Sequence, residues 1–303
     1  MDSQRIVFIA GGSLQNAGSR LRCYWPAAYM PNAQVLTWVD ARDGNLPDDC
    51  DALIFQKLVD VDAMRRARNR GAAVFWDVCD PSWWWNAADA REVLDTVTAV
   101  VTSNVGLAAD IKAWADDDTP VHVIPDRVEL SHYNRQRRHA DVTPVRLIWF
   151  GASQNRAALY AAHANISRLR ANGYAVALTI CDNAPNAPMR DLEGEYPLYY
   201  TRWELDTEVD TLSSHDIAIL PPYPGPWGRV KSNNKALSAG ACGLPVATGE
   251  DYRTLRELVA DSSWRQGAGA IARREVEARW QSEQSADEWQ ALIRQYVYEV
   301  AHV

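Results

Sequence analysis

Short apolar runs recur along this chain, each followed by a longer amphipathic or polar stretch, and that alternation restricts the fold more than any other feature. Ile6-Val7-Phe8-Ile9-Ala10 is the first such run and ends at Gly11-Gly12; Gln34 to Val39, Ala52 to Phe55, Ala72 to Val78, Thr98 to Thr102 and Val121 to Ile124 follow. Helical stretches are predicted around Ser19 to Tyr29 and Val61 to Arg70. A strand whose successive residues are all apolar needs cover on both faces, and that is the signature of a parallel sheet wound with helices. Ser131 to Thr143 breaks the pattern: it is polar and charged with no apolar period, and it reads as an inter-domain linker.

Beyond it the pattern restarts. Strands are predicted at Arg146 to Phe150, Val176 to Ile180, Leu198 to Tyr200, Ile217 to Leu220 and Pro245 to Thr248, with helices at Asn155 to Ala171 and Asn233 to Ala241. Gly243 follows that second helix as a C′ glycine. Ser285 to His302 closes the chain as an amphipathic helix with Trp289, Leu292, Ile293, Tyr296 and Val297 on one face. At 303 residues there is room for two α/β domains, placed at 1–143 and 144–284, with the terminal helix 285–303 set to pack back on the first. Ligands of open parallel sheets bind at the carboxyl ends of the strands, so a cleft between two such edges is the expected seat of chemistry.

Several function classes are disfavoured by composition and spacing. A net charge of −8 argues against a surface that grips polyanions throughout. The five cysteines (23, 50, 79, 181, 242) are widely spaced with no CxxC pair, which suits a reducing compartment and neither a disulfide framework nor a zinc site. The residues before the first strand do not spell a secretory leader, and no apolar run approaches the length of a membrane span, so a cytoplasmic location without a transmembrane segment is expected. Asp60-Val61-Asp62 formally spells a metal-binding D-x-D, but it stands where an aspartate caps a helix; Asp116-Asp117-Asp118 reads as an exposed acidic turn. The histidines show no HxxxH or HxH spacing, so no metal is expected. Around Gly11-Gly12 and Gly18-Ser19 the glycine spacing departs from a dinucleotide fingerprint.

The densest signal is His215 to Thr248. A buried strand opens into a Pro- and Gly-rich loop, and Arg229, Lys231 and Lys235 surround the predicted start of a helix. Fixed cations beside the free N–H groups of a helix N-terminus suit a pyrophosphate, and Lys231 and Lys235, four apart, are predicted to be neighbours on one helix face. Ser232, Asn233 and Asn234 add short polar groups there, with N-capping as their ordinary explanation. A second stretch, Phe75 to Trp85, delivers Asp77, Asp80 and the tryptophans Trp83, Trp84 and Trp85 to a strand end. Carboxylates there bind sugar hydroxyls or act as general bases, and aromatic faces stack on sugars; the alternative is an aromatic packing plug.

These motifs resemble the donor-binding region of GT-B glycosyltransferases of the large family-4 (group 1) type. Asp216-Ile217-Ala218-Ile219-Leu220-Pro221, Lys231-Ser232-Asn233-Asn234-Lys235 and Ala241-Cys242-Gly243-Leu244-Pro245-Val246-Ala247 match its strand, loop and helix–strand pattern. Ile124 to Glu129 and Ile148 to Ser153 resemble its inter-domain turn and second glycine loop, and Gly18-Ser19-Arg20-Leu21-Arg22 resembles a G-S-R-x-R loop of the first domain. The likeness runs from about Val121 to Leu258. It implies two Rossmann-like domains facing across a cleft, no cofactor beyond a nucleotide-sugar co-substrate, and retention of anomeric configuration. On the donor side it implies Gly151, Ser153, Asn155, Arg156, Trp203, Arg229, Lys231, Ser232, Asn233, Asn234, Lys235 and Ser238; on the acceptor side, Gly12, Ser19, Arg20, Arg22, Trp83 and Trp84. Asp77, Asp80, Lys231 and Lys235 are the expected catalytic groups. Where many members carry two glutamates, the second binding the donor ribose, this chain has Val230 and Ser238. The acceptor is left open between a saccharide and a small molecule. Two other readings stand beside this one: a phage-type DNA-base glucosyltransferase using arginines such as Arg65, Arg66, Arg68, Arg70, Arg135, Arg137 and Arg138, and a degenerate protein that binds nucleotide sugar without turnover.

Overall fold

The apolar runs form strands that lie side by side in parallel, and the stretches between them cross over as helices. The computed structural model describes residues 4–42, 46–115 and 118–300. Asp116 and Asp117 of the acidic turn, and His302 at the end of the last predicted helix, fall outside them. The described residues pack into two units: those within 4–127, 229–232 and 282–300 form the first, and those within 128–228 and 233–281 the second.

In the first unit, β1 (Ile6–Ala10), β2 (Ala33–Thr37), β3 (Ala52–Gln56), β4 (Ala73–Val78), β5 (Ala99–Thr102) and β6 (Val121–Val123) make one parallel sheet in the order β2-β1-β3-β4-β5-β6. Every residue of β1, β3, β4 and β5 is buried, as continuous apolar runs require. One face packs Phe8, Ile54, Phe75 and Val101 against Trp289, Ile293 and Tyr296 of the terminal helix, Ser282–Val300. Trp289 is fully buried and meets Phe8 and Phe75 edge-on, with ring centroids at 5.7 and 5.9 Å. The helix predicted over Ser19 to Tyr29 starts earlier, because Asn16 caps it by accepting from the Ser19 N–H at 3.1 Å. It runs Ala17–Ser19, then a π-helical turn Arg20–Tyr24, then Trp25–Ala27. The strand predicted to reach Val39 stops at Thr37, where a capping box with Asp40 turns the chain into a short helix, Trp38–Asp40. Asp60 caps Val61–Asn69 by accepting from Ala63 N–H at 3.0 Å, which accounts for the D-x-D as a helix start.

In the second unit, β7 (Val145–Phe150), β8 (Val176–Asp182), β9 (Leu198–Arg202), β10 (Ile217–Ile219) and β11 (Val246–Ala247) form a parallel sheet in the order β11-β10-β7-β8-β9. Its core joins Leu147, Trp149, Leu178 and Ile219 to Leu159, Ile166 and Leu169 of the helix Leu159–Ala171 and to Leu255 and Leu258 of Tyr252–Ala260. Residues 131–143, which lack apolar period, are part of this unit. Tyr133 is fully buried, Arg137 N–H donates to the Cys242 carbonyl at 2.7 Å, and the Arg137 guanidinium reaches Asp216. Polar partners, which no periodicity reports, hold that segment down. Gly243 ends the helix Asn234–Ala241 with φ of 71°, as a C′ glycine does.

Candidate active site

The carboxyl-end crevice of a doubly wound sheet lies where the chain reverses its direction of winding. In the second unit that switch falls between β7 and β10. Gly151 follows β7 with φ of 153°, and a Cβ there would stand 3.2 Å from the Nζ of Lys235. A side chain at Gly151 would crowd the lysine that lies over the strand end, which would have to give by a few tenths of an ångström. Lys235 Nζ sits 4.7 Å from the ring centroid of Tyr223, whose hydroxyl accepts its hydrogen bond, and 5.5 Å from that of Trp149. The residue stands in the first turn of Asn234–Ala241, whose N-cap Asn233 makes no side-chain cap hydrogen bond and whose first turn carries no acid. A cation at that end opposes the helix dipole at a cost of about 0.3–1 kcal/mol. An anion bound there would remove the conflict, because the lysine and the first N–H groups would then share it.

The neighbouring donor-side expectations fare differently. Ser153 donates its N–H to Asn183 Oδ1 at 2.8 Å, and Asn155 lies in a 3-10 segment, Ser153–Ala158, rather than opening an α-helix. Arg156, expected to supplement the lysines, is instead buried. Its guanidinium pairs with Asp182 and donates to the Ala184 carbonyl at 2.7 Å and to that of Ala187. That arginine builds the loop after β8. Trp203 donates to Glu208 Oε1 at 3.3 Å. Ser238 is buried and shares a 2.7 Å hydrogen bond with the Tyr133 hydroxyl, which also reaches Glu208 Oε2 at 3.1 Å. Lys231 is a correction to the helix-face reading: the helix begins at Asn234, so Lys231 precedes it. Arg229 and Asn233 are exposed, while Ser232 and Asn234 are half-buried.

The first unit switches direction between β1 and β3. Gly11 N–H and the Ser19 hydroxyl both donate to Gln56 Oε1, each at 3.0 Å, and Gly12 accepts from the Tyr24 hydroxyl. Arg20 is buried and donates to the carbonyls of Leu14 and Gln15 at 3.1 and 3.3 Å, which shapes the glycine loop. Arg22 and Asp77, expected at the ligand edge, are sealed inside. The guanidinium spans both Asp77 oxygens at 2.5–2.8 Å and also reaches Asp126 at 2.9 Å and the Ile124 carbonyl at 2.8 Å. Their side chains are 1% and 0% exposed, so neither meets a ligand and Asp77 cannot serve as a base there. Burial pushes the Asp77 carboxyl above its ordinary range, and the guanidinium opposes that shift.

Asp80 does reach the surface at the end of β4, but between two ammonium groups. Lys231 Nζ donates to Oδ1 at 2.5 Å and Lys57 Nζ to Oδ2. Burial alone would raise this carboxyl; the two lysines outweigh it and hold it below the usual carboxylate range. A carboxylate so held accepts hydrogen bonds and is a weak general base near neutral pH. Trp83 is buried, stacked on Trp114 at 6.1 Å, while Trp84 is 41% exposed; one oxygen of Asp110 accepts from both indoles at 2.8 Å. Trp83 therefore packs, and Trp84 is the more exposed of the two.

Lys57, Gln56, Asp126, Tyr223 and Glu208 escaped the sequence reading. A signal existed for the first two, because they end a buried run exactly where parallel sheets bind ligands. No local pattern marks Glu208, whose partners lie 75 residues upstream at Tyr133 and five upstream at Trp203.

No family model and no curated protein matches the chain. Solved structures do. HepE from Anabaena, in complex with UDP and glucose, superimposes with a TM-score of 0.69 at 9% identity, over 96% of this chain and 100% of that one. A glycosyltransferase from Rickettsia africae gives 0.69 at 10% identity, covering 98% and 99%. An α-glucosyltransferase in complex with UDP and a 13-mer DNA gives 0.67 at 13% identity, covering 96% and 99%. At such identities the likeness speaks for architecture, and the chain has the GT-B fold of these glycosyltransferases, with two Rossmann-like parallel α/β units.

Proposed function

We propose that this protein is a glycosyltransferase that holds the diphosphate of a nucleotide-sugar donor at the β7/β10 switch point of the second unit and passes the sugar to an acceptor. The observation that carries the reading is Lys235, a cation placed against the dipole of its own helix and over a glycine that closes β7. In the transition state the departing nucleoside diphosphate gains negative charge. Lys235 and the helix N–H groups stabilise it, a fixed-charge role that a divalent ion fills elsewhere, so transfer proceeds without added metal. One such contact contributes on the order of 2–4 kcal/mol. Arg229, Ser232, Asn233 and Asn234 border the same helix start and are assigned to the donor side. UDP is the nucleotide of choice, because two of the structural neighbours named above hold UDP. The sugar is transferred with retention of anomeric configuration, and the five unpaired cysteines fit a reducing, cytoplasmic setting.

Turnover of UDP-glucose with a saccharide panel in the presence of EDTA tests this directly. UDP release above the no-acceptor rate, with the anomer of the product read by NMR, is expected. No release with any nucleotide sugar, alongside intact donor binding, would instead establish the degenerate reading.

A DNA acceptor has one observation in its favour, the neighbour bound to a DNA 13-mer. Four of the seven arginines that would serve it are engaged locally: Arg65 with Glu92, Arg70 with Asp48, Arg135 with Asp210 and Arg137 with Asp216. A small acceptor is the reading this charge pattern supports.

A further inference from the structure

Four residues between β10 and the helix Asn234–Ala241 part company with the chain on either side of them. Arg229–Ser232 pack with the first unit, whereas 128–228 before them and 233–281 after them form the second. Their seat is built from named contacts. Val230 is buried, at 3% exposure, and its carbonyl accepts from Asn104 Nδ2 at 2.8 Å. The other end of the Asn104 amide, Oδ1, accepts from the Leu107 N–H at 2.9 Å and so caps the helix Val105–Ala115. Two residues further on, a Cβ at Gly106 would collide with the Arg229 carbonyl oxygen, well inside the 3.0 Å that such atoms keep. Lys231 adds its ion pair to Asp80.

Three residues, Lys231 to Asn233, separate Val230 from the start of the helix that carries Lys235. Asn233, the N-cap of that helix, makes no side-chain cap hydrogen bond, so its own side chain does not fix how the chain enters the helix. The seat of Val230 does. A connection of three residues has only about six soft dihedrals in which to absorb a displacement.

We infer that Asn104 and Gly106 are positioning residues for the donor: by holding Arg229–Ser232 against the start of Val105–Ala115, they set where the helix Asn234–Ala241 begins and hence where Lys235 meets the diphosphate. The effect on the nucleotide rests on the donor reading given above; the seat of 229–232 on Asn104 and Gly106 does not. Where groups must be aligned, a misplacement of about 1 Å costs up to about a hundredfold in rate. Residues that never touch the nucleotide thereby govern its hold.

Asn104→Asp separates the two roles of the amide. Aspartate caps a helix as well as asparagine does, but it has no N–H for the Val230 carbonyl and sets a negative oxygen against it. In calorimetric titration of the full chain, UDP should bind this variant about fivefold or more weaker, the order expected of one lost hydrogen bond. Gly106→Ala should weaken it further. Hydrogen exchange over 229–235 should quicken in both variants, while 105–115 in Asn104→Asp should exchange as in the unmodified protein. Trp289→Ala loosens the first unit through Phe8 and Phe75 instead and should leave UDP affinity unchanged. Asn104→Asp alone decides the matter if Gly106→Ala does not fold. Unchanged exchange over 229–235 in Asn104→Asp, unchanged UDP affinity despite faster exchange, or an equal loss of affinity in Trp289→Ala overturns the inference. No UDP binding by the unmodified protein would sink the donor reading and, with it, the effect on the nucleotide; an exchange difference that remains tells that failure apart.

Discussion

Replacing Lys235 with Met removes the ammonium group and keeps the length of the stem. A charge-assisted hydrogen bond to a phosphate contributes about 1.5–3 kcal/mol, which corresponds to a loss of roughly 10- to 150-fold in UDP affinity. With UDP at about 100 times its Kd, binding stabilises the unmodified protein by about 2.7 kcal/mol. A hundredfold weaker variant at the same concentration gains only about 0.4 kcal/mol. For domains of this size each kcal/mol moves the melting temperature by about 2–4 °C, so the UDP-induced shift should fall from about 5–11 °C to about 1–2 °C. The unliganded protein should melt nearly where it did. Met at that position relieves the dipole conflict, about 0.3–1 kcal/mol, and forfeits cation–π contacts with Tyr223 and Trp149 worth a similar amount. Thermal melts of both proteins with and without UDP decide the matter. If the variant retains the full ligand shift, Lys235 does not touch the diphosphate and the donor site lies elsewhere.

Other perturbations probe the scaffold beneath the sites. Arg22→Met leaves Asp77 and Asp126 buried without their cation and should cost about 3–5 kcal/mol in urea unfolding; adding Asp77→Leu should recover part of that, and a single variant as stable as the parent would refute the ion pair's role. Trp289→Ala should cost about 3–5 kcal/mol through the cavity left between Phe8 and Phe75 and loosen the terminal helix, seen as faster hydrogen exchange over 282–300. His215 is depressed below its ordinary value, chiefly by burial, and its ring nitrogens meet Thr211 O at 2.7 Å and Thr179 Oγ1 at 2.8 Å. Its neutral form is therefore the folded form. The stability it contributes is complete above the unfolded value of about 6.5 and declines as pH falls through the depressed folded one. Urea midpoints should drop between pH 7.5 and 5.5, less steeply in His215→Gln; identical slopes would exclude this histidine as a source.

Much of the architecture was readable in advance because burial leaves a periodic trace. Ile6–Ala10, Ala52–Gln56 and Ala73–Val78 are apolar at every position but Gln56 and Asp77, and they became interior strands of a parallel sheet. The terminal helix showed its core face in Trp289, Leu292, Ile293 and Tyr296, all of them buried. Lys235 was singled out by its place in Lys231-Ser232-Asn233-Asn234-Lys235 at a predicted helix start, which is a local relation. Helices such as Tyr252–Ala260 and Ser262–Arg279 were not, since the second has a polar outer face and few buried residues to mark it.

Charged residues were the harder matter. Asp77 looks like an edge carboxylate, Arg22 and Arg156 like ligand cations, and Lys231 like a helical neighbour of Lys235. Three of them are buried against partners 26 to 104 residues away, and Lys231 leaves the second unit's sequence neighbourhood to join Asp80 of the first, 151 residues distant. Apolar burial is non-directional and depends on a residue's own surface, so a single strand or helix encodes it in its period. The fate of a charge depends on which opposite charge the folded chain brings within a few ångströms. That is a property of the tertiary approach of distant segments, and only the three-dimensional structure decides it.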